Sequence, residues 1–107
     1  MREVKMIDDK MRNEALAFAL EWGPEMGKPL LGKMQTIYPQ IEEATVAQLQ
    51  KLCGEIKSFA WRAFEDAYSG KISEAAAERS VSEKYPFVSG KNLSHLHTQG
   101  MYYAWHG

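Results

Sequence analysis

The side chains best suited to chemistry crowd into residues 92–107. All three histidines, His95, His97 and His106, lie there, with Ser94, Tyr102, Tyr103 and Trp105 among them. Histidine clusters suggest a metal first. On a helix, however, His95 and His97 point about 160° apart, and His95 and His106 share a face at about 16 Å along the axis. No pair in this segment can hold an ion unaided. The Glu-x-x-His motif of carboxylate-bridged iron bundles is absent. No metal or cofactor is expected; an ion shared by two copies at a symmetric contact is the one arrangement left. A second chemistry is nucleophilic. Ser94 and His97, at i and i+3, can touch, but no acid is defined to orient the imidazole. His97 falls at the edge of an apolar stripe and reads as a hydrogen-bonded core histidine. No residue is assigned a catalytic role, and the chain reads as leaning away from an enzyme.

Other sources of chemistry are thin. Cys53, the sole cysteine, falls on an apolar helix face, where a thiol is a small core residue rather than a reactive group. Asp8-Asp9 and Glu42-Glu43 suit helix N-termini. Glu65-Asp66 suits a solvated face, and so do Arg62 and Arg79, either of which could hold an anion. There is no P-loop, dinucleotide fingerprint or zinc-binding cysteine set. Net charge is −1, with bases scattered among acids. Nothing offers the basic face that phosphate backbones require, so nucleic acid is not an expected partner. No run approaches the roughly 20 apolar residues that span a bilayer. Residues 1–6 are too charged for a signal peptide. The cytoplasm is the expected location.

Two candidate surfaces remain. Past Lys91 no side chain carries a formal charge, histidines aside. His95, Gln99, Tyr102 and His106 recur at spacings of four, three and four, with Trp105 beside them. Such a face, aromatic and polar yet uncharged, suits the core of a protein interface. A homodimer or another protein partner is expected to cover it; the competing reading is that these residues only cover the core. The second candidate is a pocket between helices lined by Trp22, Trp61 and His97.

The elements that must position these residues are helical. From Thr45 to Tyr68 there is no proline. Thr45 and Gln48 make a capping-box pattern, and Ser69-Gly70 supplies a stop. Leu49, Leu52, Cys53, Ile56, Phe59, Ala60, Ala63 and Ala67 share one side, widened by Val46, Trp61, Phe64 and Tyr68. The apolar arc spans roughly 200°, against the about 100° of an ordinary surface helix. One companion cannot hide it. Before this rod, Asp8 or Asp9 caps a helix whose Met11, Ala15, Phe18 and Trp22 align, and Gly23-Pro24 stops it. A shorter helix from Pro29 carries Leu30, Leu31, Met34, Ile37 and Tyr38 and ends at Pro39.

After the rod, Ser73 caps a helix from Glu74 to about Lys84. Tyr85-Pro86-Phe87-Val88 reads as an extended linker. A last helix runs from about Lys91 to His106, capped by Ser89 or Asn92, with Gly100 allowing close approach to a neighbour. Leu93, Leu96, Gly100, Tyr103 and Ala104 form its expected core stripe. No strand-like alternation occurs. The expectation is one all-α domain over residues 1–107, a compact bundle or orthogonal array of about five helices around the rod at about 45–68. Its expected role is a self-associating, non-catalytic interaction or regulatory module. The alternative is a small-ligand binder or modest enzyme using the Trp22, Trp61 and His97 pocket.

Overall fold

The computed structural model describes residues 7–106, so the reading of residues 1–6 lies outside the described residues. Those described form five α-helices: α1 (Asp9–Ala19), α2 (Leu30–Gln35), α3 (Glu43–Tyr68), α4 (Glu74–Lys84) and α5 (Gly90–His106), with a 3-10 turn at Gly23–Glu25. No strand occurs among the described residues. Helix α3 is 26 residues long, about 39 Å at 1.5 Å per residue. It packs against all four other helices, as its wide apolar arc demands. Val46, Leu49, Cys53, Ile56, Ala60 and Phe64 are its buried line.

Local chemistry explains most boundaries. The Asp8 carboxylate accepts from the Met11 N–H at 2.8 Å and starts α1. Ser73 accepts from the Ala76 N–H at 3.0 Å and starts α4. Ser89 accepts from the Asn92 N–H at 3.2 Å and starts α5. Gly70, at φ 83°, closes α3. There the Gly70 N–H donates to Ala67 at 3.1 Å and the Lys71 N–H to Asp66 at 2.9 Å, the two bonds of a Schellman ending.

Three expectations shift. Helix α3 begins at Glu43, with Glu42 at the N-cap position, so Thr45 lies inside the first turn and its capping box is not used. Acidic residues at an N-terminus complement the helix dipole, and Ala44 propagates a helix well. Helix α1 ends at Ala19, which leaves Trp22 outside its stripe, in extended backbone. Helix α2 ends at Gln35, the Thr36 hydroxyl donating to the Lys33 carbonyl at 2.6 Å. Ile37 is exposed as a result.

Polar contacts tie the ends of α1 to the rest. Asn92, buried at the start of α5, donates through its amide to the Asn13 carbonyl at 2.9 Å and to Asn13 Oδ1 at 3.0 Å. Asn13 donates in turn to the Phe87 carbonyl at 2.9 Å and accepts from the Ser89 N–H at 2.8 Å. At the other end, three carbonyls accept from three different helices. Lys33 of α2 reaches Phe18 O at 3.4 Å, Lys57 of α3 reaches Ala19 O at 3.3 Å, and Gln99 of α5 donates to Leu20 O. Cationic groups there also answer the negative end of the α1 dipole.

The tightest contact is between α5 and α3. A Cβ at Gly100 would stand 2.6 Å from Phe64 Cδ2 and 2.8 Å from Phe64 Cβ. The second distance matters more, because no ring rotation moves a Cβ. Gly54, by contrast, would meet nothing within 4 Å. Gly100→Ala is therefore expected to destabilise by about 1–3 kcal/mol through overpacking. Gly54→Ala is expected to stabilise by about 0.4–1 kcal/mol by restricting the unfolded chain. Denaturant melts of the two variants check this; shifts of the same sign would contradict it.

Candidate functional site

Helix α5 distributes its side chains over three environments. Inward, Leu96 and Gly100 pack on α3 beside Phe64. On one flank, the His97 ring stacks on Phe64 with centroids 4.8 Å apart and planes 19° apart. Its edges meet α4: Nδ1 lies 2.7 Å from Glu78 Oε2, and Nε2 lies 2.6 Å from Glu74 Oε1. Glu74 and Glu78 are one turn apart on α4, so they bracket the ring from two sides. Only the imidazolium can donate from both nitrogens at once. Burial is the largest single influence on this ring and works to lower its pKa. The hydrogen bonds and charges of Glu74 and Glu78 together outweigh it, and the net shift is upward from 6.5.

On the other flank, Gln99 is buried and directed at the C-terminal turn of α1. The row His95, Gln99, Tyr102, His106 is thus split. Gln99 lies on the inner side of the helix, and the other three lie outside. A glutamine is as able to cap buried carbonyls as to face solvent, and residue type alone does not distinguish the two.

The outward face is aromatic. Trp105 is 65 % exposed and Tyr102 44 %. The His106 ring sits 4.1 Å from Tyr102 and 4.3 Å from Trp105, centroid to centroid. Tyr102 continues to Trp22 at 5.2 Å, edge to face, and Trp22 to Tyr103 at 6.1 Å. Trp61 of α3 joins through Tyr103 at 5.5 Å. The Trp22 indole N–H donates to the Tyr103 hydroxyl at 3.3 Å. His95 is exposed beside Trp22 in a shallow cleft. The result is a connected sheet of rings from Trp61 to Trp105 across the C-terminal half of α5.

The three residues assigned to a pocket part company. Trp22 and Trp61 meet at Tyr103, while His97 faces α4 and is held by two carboxylates. The Ser94 and His97 pairing also changes meaning. The imidazole does have acids, Glu74 and Glu78, which sequence reasoning missed. Their spacing of four on one helix was the available signal. Because those acids take both ring nitrogens, no free nitrogen remains to activate a hydroxyl. Burial pushes the Cys53 thiol up to about 11, with nearby Lys57 acting the other way, so it stays protonated and inert at neutral pH. Among the described residues, no group of three or more His, Cys, Asp or Glu side chains could hold a metal ion, and no helix is long and apolar enough to cross a membrane. No family model, curated protein or solved structure matches this chain.

The His97 geometry sets a pH dependence. The folded pKa is raised above the unfolded value of 6.5, so the contribution to stability is complete below 6.5. It is lost as pH rises through the folded pKa. Thermal melts taken at rising pH from 6 upward are expected to show wild type losing its advantage over His97→Gln. Parallel curves for the two proteins would contradict the assignment.

Proposed function

We propose that this protein is a non-catalytic helical interaction module that self-associates through the aromatic face of α5, and that it works in the cytoplasm. The observation that carries the reading is the exposed ring sheet centred on Tyr102, Trp105 and His106. Contiguous exposed apolar surface on a small protein marks a contact site. Tryptophan and tyrosine are also the residues most often found at energetic centres of interfaces.

A second copy is the occupant that fits this face. A two-fold contact brings each patch against itself, so any charge on it would meet its own like. From Asn92 to His106 there is no Asp, Glu, Lys or Arg, and that penalty is absent. Arg12, Lys28, Lys33 and Lys71 are paired with Asp9, Glu25, Glu21 and Asp66. Part of the basic charge is thus neutralised, and the remaining bases are scattered among acids rather than gathered on one face, which favours a protein partner over nucleic acid. A pocket lined by Trp22, Trp61 and His97 is the weaker reading, because His97 is occupied by Glu74 and Glu78 and faces another element.

Light scattering over a wide concentration range tests the proposal. Wild type is expected to approach twice the mass of one chain. Trp105→Ala, exposed and therefore safe for folding, is expected to weaken association by about tenfold or more, roughly 1.4 kcal/mol. A single-chain mass at every concentration, or association indifferent to Trp105→Ala, would overturn it.

A further inference from the structure

Between the end of α1, the turn that follows it, α2, α3 and α5 lies a cleft of about 420 Å³. Phe18, Trp22, Leu30 and Tyr103 give it an apolar and aromatic wall, and Lys28, Lys33 and Lys57 give it three ammonium groups. Such a volume falls in the range of small-molecule sites, roughly 300–1,000 Å³.

The three lysines are not equivalent. Lys33 is 11 % exposed, and its ammonium lies 3.0 Å from the Glu21 carboxylate and 3.4 Å from Phe18 O. It is held, and it neutralises Glu21. Lys28, also on the lining, is paired with Glu25 at 3.0 Å. Lys57 is half-buried, and among the described residues its one hydrogen bond goes to Ala19 O at 3.3 Å. No carboxylate among the described residues lies within ion-pair distance of it. An ammonium has three donors, so two on Lys57 remain unused. The negative end of the α1 dipole compensates its charge only in part. The charges around the cleft therefore leave one positive charge over, on Lys57, beside a tryptophan.

We infer that this cleft binds a small organic monoanion: a carboxylate on a flat or branched apolar body. The carboxylate accepts from Lys57, and the body lies against Trp22 and Leu30. A dianion such as a phosphate monoester fits poorly. Its second charge would find Lys33 already engaged and Glu21 next to it. The inference does not depend on self-association, although Trp22 and Tyr103 border both surfaces.

The test follows the Trp22 indole N–H resonance of the full chain during titration with 3-phenylpropionate, with 3-phenylpropanol as the uncharged control. The protein is kept at a concentration where light scattering gives one mass, so that no change of assembly mimics binding. The acid is expected to give a saturable shift and the alcohol a much weaker one. Lys57→Gln is expected to weaken the acid about tenfold or more, while Lys57→Arg keeps most of the affinity. Should Lys57→Gln fail to fold, raising the salt concentration on wild type makes the same distinction, because a charge contact weakens with screening. No saturable shift, equal binding of acid and alcohol, or an affinity indifferent to both charge removal and salt would overturn the inference.

Discussion

The structure depends on the space that Gly100 leaves for Phe64. Phe64 is fully buried, and its Cβ and ring lie against the bare Cα of Gly100. The imidazole of His97 stacks on the same ring at 4.8 Å. One aromatic side chain of α3 thus fixes both the depth and the rotation of α5. With Leu96 and Gly100 turned inward, the 3.6-residue period leaves no freedom for the others. From the direction set by Leu96 and Gly100, His97 lies about 80° to one side and meets α4, and Gln99 lies about 80° to the other and meets α1. Tyr102, Trp105, His106 and His95 fall on the far side, facing solvent. The exposed ring sheet is therefore a consequence of how α5 is seated.

Polar groups complete the seating. Asn92 and Asn13 lock the start of α5 to the middle of α1 through side-chain and backbone bonds. Gln99 donates to the Leu20 carbonyl, at the C-cap of the same helix, from the other direction. Lys33 and Lys57 finish that capping. Asn92 and Gln99 are buried, and buried polar groups specify one arrangement, because each is costly to leave unpaired. Packing alone would not: the apolar face of α4 is thin, and Ala77 and Val81 are its buried members. The His97 bridge to Glu74 and Glu78 supplies the directional contact that this face lacks.

Much of this was legible in the sequence. The breadth of the apolar arc between Val46 and Tyr68 required several companions for α3, and four helices pack on it. Asp8, Ser73, Ser89 and Gly70 mark helix ends by chemistry that works over three or four residues, so their roles could be read locally. Gly100 stood out in the same way, as a missing side chain inside a core stripe. What escaped depends on partners distant in sequence. Glu74 and Glu78 acquire meaning only when α5 is laid beside them, and Asn13 only when Asn92 arrives. Gln99 was misplaced because helical spacing defines a row without saying which row turns inward. Trp22 was misplaced because the Gly23-Pro24 stop acts earlier than expected, at Ala19.

The seating of α5 can be observed without altering the protein. In a nuclear Overhauser spectrum, Gly100 Hα and the His97 ring protons are both expected to show contacts to the same Phe64 ring. Their absence, with Phe64 in contact with other residues of α5, would mean that the helix is rotated, and the outward aromatic face would no longer follow.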